Sequence, residues 1–79
     1  MFIKANKCIV NVDIKDITCV DYSDYNSKIY IYYKGKDKVC ESTLYVGNLD
    51  IDKVYYGLLN ALSRNAKSID LDKYKKDGN

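Results

Sequence analysis

Apolar and polar positions along this chain change rhythm once. Up to residue 46 they alternate with a period of two, the mark of half-buried strands; from residue 51 they recur at the 3.6-residue spacing of an amphipathic helix. The clearest alternation is Lys-Ile-Tyr-Ile-Tyr-Tyr at positions 28–33. These residues are nearly all β-branched or aromatic, with Ile29, Ile31 and Tyr33 on one face and Tyr30 and Tyr32 on the other. The segment predicts the central strand of a small sheet, its aliphatic side turned to a core and its tyrosine side left for packing or binding.

Four more strands are expected around it. Residues 2–5 and 8–12 flank Asn6-Lys7, a two-residue hairpin signal, with Cys8, Val10 and Val12 sharing an apolar face. Residues 13–16 read as a polar link anchored by a buried Ile14. Residues 17–22 form the third strand, Thr18, Val20 and Tyr22 alternating against Ile17, Cys19 and Asp21. Turn formers at 23–27 lead into the central strand. A second turn at 34–37 offers Gly35 for a positive φ. The strand over 38–46 then sets Cys40, Ser42, Leu44 and Val46 against Val39, Glu41, Thr43 and Tyr45. Short turns at regular spacing favour an antiparallel meander over parallel units.

After Gly47-Asn48, the residues Ile51, Val54, Tyr55, Leu58, Leu59 and Leu62 line one helical face. The pattern predicts a helix over about 50–66, with Asp50 as N-cap and Asp52 in the first turn, where negative charge suits the helix dipole. Arg64 and Lys67 fall in its last turn, and Asn65 offers a left-handed ending. Gly57 inside the helix either admits a close neighbour or is tolerated at a cost of about 1 kcal/mol relative to alanine. Alternation returns over 68–72, predicting an edge strand, and 73–79 is expected to fray. The expected fold is α+β and a single domain over residues 1–79: a five- to six-stranded antiparallel β-meander with one amphipathic helix packed on one face.

A chain of 79 residues builds a small core, burying only about 60–65% of its unfolded surface. Self-association commonly offsets that shortfall, so a two-fold homodimer is expected. The 47% apolar and 30% charged content fits a folded domain. No apolar run approaches the roughly 20 residues of a bilayer span, and the start lacks the hydrophobic region of a signal peptide. No membrane association and a cytoplasmic location are therefore expected. Three cysteines, an odd number without a Cys-x-x-Cys pair, read as free thiols in a reducing compartment, each a small buried hydrophobe.

Histidine is absent, which removes the commonest general base, every Ser-His or Cys-His pair and the commonest metal ligand. Glycines at 35, 47, 57 and 78 make no phosphate-binding loop, the cysteines lack zinc spacing, and Asp13, Asp16, Asp21 and Asp24 match no EF-hand. A protein that is not an enzyme, with no metal and no cofactor, is expected. The net charge of +2 is no clear basic excess. Lysine, asparagine, isoleucine and tyrosine supply 36 of the 79 residues. Their codons are AT-rich, as in a low-GC bacterium or a phage or plasmid living in one, so abundant Lys and Tyr are weaker signs of a binding surface than they look.

Three surfaces remain as candidates. Tyr30 and Tyr32, extended by Tyr22 and Tyr45 from flanking strands, make a tyrosine face suited to a protein partner. Lys34, Lys36 and Lys38 at the hairpin, with Lys28 on the paired strand, form a lysine group that with the tyrosines suits single-stranded nucleic acid. Tyr56, on the helix face away from the core, suits an oligomer contact.

The run Phe2-Ile3-Lys4-Ala5-Asn6-Lys7-Cys8-Ile9-Val10-Asn11-Val12-Asp13-Ile14-Lys15-Asp16-Ile17 resembles the closing segment of LytTR-type bacterial DNA-binding domains. Lys4 stands where that family has arginine, Asn6 at its His/Asn position and Cys8 where serine is usual. The Asn-x-x-x-Ile-x-x-Ile rhythm, followed by Ile-Tyr-Ile and a glycine turn, is similar to small flagellar FlbD-type proteins. Both resemblances imply a β-rich domain, and the first implies DNA contacts at Lys4, Asn6 and Lys7. The leading expectation is a small interaction protein, encoded by a phage or plasmid, that binds and modulates a larger host complex, for example as a defence-system inhibitor of the anti-CRISPR kind. The alternatives are a DNA- or RNA-binding regulator using these lysines and tyrosines, and a small-ligand-binding oligomer.

Overall fold

Asn6-Lys7 turns the first two strands into a hairpin. β1 (Phe2–Ala5) and β2 (Cys8–Asn11) pair antiparallel with Ala5 opposite Cys8, and Asn6 takes a left-handed φ of 48°, which asparagine tolerates. The fold is a computed structural model and describes residues 1–76. Along β1, Ile3 and Ala5 are buried and Phe2 and Lys4 face solvent. The polar link beyond β2 is a 3₁₀ turn over Ile14–Asp16, where the Asp13 carboxylate accepts from the Lys15 N–H and Ile14 is half-buried.

β3 (Ile17–Ser23), β4 (Lys28–Lys34) and β5 (Val39–Tyr45) make a second sheet, antiparallel throughout, with β4 at its centre as its alternation predicts. Ile29, Ile31 and Leu44 are fully buried on its inner face. Gly35 serves this hairpin by its lack of a side chain rather than by handedness. A Cβ there would lie 2.6 Å from Cys40 Sγ and 2.9 Å from the Lys38 carbonyl oxygen, whereas the left-handed glycine is Gly47, with φ 50°.

α1 (Ile51–Ser63) starts at Asp50, whose side chain accepts from the Lys53 N–H at 3.3 Å. It buries Val54, Leu58 and Ala61, with Ile51, Tyr55 and Leu62 packed beside them. The helix stops short of residue 66 because Asn65, at φ 59°, turns the chain and lets the Ala66 N–H reach the Ala61 carbonyl at 3.0 Å.

The chain then enters β6 (Ser68–Asp70), which pairs with β1 in parallel, Ile3 opposite Ile69. This departs from the expected meander: the six strands of the described residues form two three-stranded sheets, β2-β1-β6 and β3-β4-β5. Residues 12–16, with the 3₁₀ turn at Ile14–Asp16, carry the chain out of the first sheet and into the second, so β2 and β3 are not neighbours in either. The helical crossover brings β6 back in the direction of β1, which requires a parallel ladder.

One core serves both sheets and the helix. Ile3 and Ala5, then Ile29, Ile31, Leu44 and Val46, meet Val54, Leu58 and Ala61, joined by Ile69 and by Leu71 from a 3₁₀ turn over Leu71–Lys73. Residues 74 and 75 are docked rather than frayed: the Asp50 N–H donates to the Tyr74 carbonyl at 2.8 Å, and Leu49 bridges to Lys75. Of the expected frayed tail, residues 77–79 lie outside the described residues. The thiols also depart from expectation, Cys8 and Cys19 being exposed and Cys40 half-buried, all three free. The described residues include no helix long and apolar enough to cross a membrane.

Candidate functional site

The helix and the core occupy one side of β3-β4-β5, leaving the other side to solvent. Across this outer face Tyr30 lies between Asp21 and Thr43, Tyr32 between Cys19 and Glu41, and Lys28 between Ser23 and Tyr45. The two central rings are half-buried by their neighbours, while Tyr45 and Val39 are 57% and 63% exposed. Partial burial and, behind it, the Glu41 carboxylate push the Tyr32 phenol above its ordinary pKa, so the ring carries its proton at neutral pH.

Tyr22 does not belong to this face. It pairs with Ile29 and points inward, its ring centroid 4.6 Å from that of Tyr55 on α1. Asp52 on the helix is the main reason its phenol is also shifted up, with burial adding to it. Its placement follows from the alternation that puts Val20 and Tyr22 on one face and Cys19 and Asp21 on the other. Tyr56 is 66% exposed and stacks edge-on against Tyr55 at 5.5 Å.

The two edges of this sheet differ. The Val46 N–H bonds to the Ser27 carbonyl, and hydrogen bonds alternate along antiparallel strands. Residues 20 and 22 therefore turn their backbone groups outward from β3, and residues 39, 41, 43 and 45 turn theirs outward from β5. On β3 two of these four groups are capped: the Tyr55 hydroxyl donates to the Val20 carbonyl at 3.4 Å, and Asp21 Oδ1 accepts from the Tyr22 N–H at 2.8 Å. On β5 the Tyr45 carbonyl accepts from Asn6 Nδ2 at 3.0 Å.

The expected lysine group is dispersed. Lys34, Lys36 and Lys38 cluster at the β4–β5 turn. Lys28, at the opposite end of β4, is six residues or about 20 Å away. Lys4, Asn6 and Lys7 lie elsewhere, in an open groove of about 630 Å³ shared with Cys8, Asn48, Leu49, Asp72 and Lys75. Asp72 organises this groove, accepting from the Lys4 ammonium through Oδ2 and from the Asn6 N–H through Oδ1 at 2.6 Å. The hydrogen bond from Lys4, then that from Asn6, holds the Asp72 carboxyl below the usual range. The same bond to Asp72 raises Lys4.

No protein-family model matches this chain, and no curated protein or solved structure is significantly similar to it.

Cys8, Asn48, Leu49, Asp72 and Lys75 were not legible as site residues, because they meet only through contacts that span most of the chain, such as Lys4 with Asp72. Among the described residues, no three His, Cys, Asp or Glu side chains come together in a way that would hold a metal ion.

Proposed function

We propose that this protein is a non-enzymatic binding module that docks onto a larger protein and modulates it through the outer face of β3-β4-β5. The observation that carries this reading is the side-by-side placement of Tyr30, Tyr32 and Tyr45 on a sheet face that no element of the described residues covers, flanked by Asp21 and Glu41. Tyrosine gives a large amphipathic contact for little lost side-chain freedom. The two carboxylates are balanced by Lys28 and Lys34 at the ends of the same face, so the face carries no basic excess, and its centre suits a protein surface that presents arginine or lysine, whose cations are also drawn to aromatic faces. A second copy stacked on this face with strands aligned would bring Lys28 over Lys28 or over Lys34, so self-association belongs with Tyr56 on the helix instead. A mobile-element inhibitor of a host defence complex is the specific form of this reading, supported by small size and AT-rich composition.

Affinity capture from a low-GC bacterial lysate at physiological salt tests it, comparing the native chain with Tyr30→Ser/Tyr45→Ser and Lys34→Ala/Lys36→Ala variants. A defined protein should be retained by the native chain and the lysine variant, and bound roughly tenfold or more weakly by the tyrosine variant. Recovery of no specific protein, or equal recovery by the tyrosine variant, overturns the reading.

A further inference from the structure

The groove beside the β1–β2 turn is chemically unlike the tyrosine face. It joins three parts of the chain distant in sequence: Lys4 to Cys8, the pre-helix pair Asn48-Leu49, and the C-terminal residues Asp72 and Lys75. Its volume of about 630 Å³ lies within the roughly 300–1,000 Å³ of small-molecule sites. Leu49 is 3% exposed, so it belongs to the core beneath the groove and offers it almost no surface. Three ammonium groups against one carboxylate leave the lining with two positive charges, of which Asp70, outside the lining but 3.8 Å from the Lys4 ammonium, offsets one.

The single carboxylate is already committed. Asp72 takes hydrogen bonds from Lys4 and from the Asn6 backbone, which fixes Lys4 at the wall and offsets the negative charge there. Lys7 and Lys75 make no close ion pair among the described residues, although Lys75 stands near enough to Asp72 to help hold its carboxyl down. The side-chain amide of Asn48 stands exposed at the rim. Compact ammonium groups bind phosphate as point charges, whereas planar carboxylates are better matched by the forked guanidinium of arginine. The one arginine of this chain, Arg64, is not part of the lining.

We infer that this groove binds a phosphate-bearing ligand, its phosphate held between Lys7 and Lys75. A free nucleotide and the backbone of a nucleic acid present the same group, and the experiment separates them. Because the ligand bridges the β1–β2 turn and the C-terminal residues, binding stabilises the folded chain by mass action.

Thermal unfolding of the full chain at low ionic strength would be followed with inorganic phosphate, adenosine mono- and triphosphate, and a short single-stranded oligonucleotide. Citrate at matched ionic strength serves as the comparison anion. Equilibrium dialysis gives the affinities directly, and circular dichroism confirms that each variant is folded. A saturable rise in Tm with a phosphate-bearing probe, beyond that with citrate, is expected. The affinity should fall about tenfold or more in Lys7→Ala/Lys75→Ala and hold in Lys34→Ala/Lys36→Ala. Binding of the nucleotides identifies a small-molecule site, and binding of the oligonucleotide alone identifies a backbone-phosphate site. The inference is overturned if citrate matches every phosphate probe, if no probe binds at millimolar concentration, or if the two variants lose affinity equally.

Discussion

The ring of Tyr74 rests on the backbone of Gly57, so close that a Cβ at Gly57 would lie 2.7 Å from its Cε2. The glycine is the opening through which the C-terminal residues reach the helix. Replacing it with alanine gains about 1 kcal/mol of helix propensity and forces a clash of the kind that costs about 1–3 kcal/mol. Gly57→Ala is therefore expected to destabilise the protein by about 1 kcal/mol. In a Tyr74→Ala background the clash is gone, and the same change should become stabilising by up to about 1 kcal/mol. Urea unfolding of the four proteins of this cycle measures the reversal of sign.

Asp72 ties Lys4 and Asn6 to the C-terminal residues, and the tie depends on its charge. Its pKa is lower in the folded chain than the ordinary 3.8. Its contribution to stability is accordingly complete above that ordinary value and lost as pH falls through the lower folded one. Lys4 is raised above 10.5 by the same bond, so the tie weakens again only when pH rises through that higher value. Asp72→Asn should lower Tm by a few degrees at neutral pH. The gap between variant and native chain should close as pH is taken below the carboxylate range, which thermal scans from neutral to strongly acidic pH would show.

The local elements were legible because each is written in neighbouring residues. The alternation at 28–33 placed β4 and its inner and outer faces, Asn6-Lys7 placed the first hairpin, and Asp50 and Asn65 marked the helix ends. The pairing of β6 with β1 was not legible, because a three-residue strand at 68–70 carries no signal of direction and its partner is more than sixty residues away. The same distance hid the groove. Tyr30, Tyr32 and Tyr45 were placed together by period alone. Tyr22 was joined to them in spite of it, since its own strand already set it beside Val20 on the other face. Gly57 illustrates the boundary between the two cases: sequence showed that a small residue stood there, and only the fold showed that Tyr74 fills the space.

Edge protection on β3 leads to a third prediction. The Val20 carbonyl and the Tyr22 N–H face away from the sheet, and Tyr55 and Asp21 occupy them. Uncapped edges template pairing between molecules. Tyr55→Phe/Asp21→Ala should cost about 0.5–1.5 kcal/mol for each hydrogen bond removed. It should also aggregate at concentrations where the native chain stays clear. Light scattering against concentration, alongside urea unfolding, checks both effects. A variant that is destabilised yet no more prone to associate would show that the caps serve stability alone.

The three thiols give a direct probe of the outer surfaces. Cys19 stands beside Tyr32 on the open face and Cys8 lines the groove, both exposed, while Cys40 points inward from β5 and would crowd any side chain at Gly35. Thiol reagents attack according to access. In the native chain, Ellman's reagent should titrate two equivalents in a fast phase and the third more slowly, because Cys40 is only partly accessible. Cys8→Ser and Cys19→Ser should each remove one fast equivalent and change stability by no more than about 0.5 kcal/mol, as surface substitutions do. Cys40→Ser should abolish the slow phase and cost more. Modification also distinguishes the two proposed surfaces without any substitution at a tyrosine or lysine. A bulky adduct on Cys19 in the Cys8→Ser background should block the protein partner and leave phosphate binding intact, and an adduct on Cys8 in the Cys19→Ser background should do the reverse.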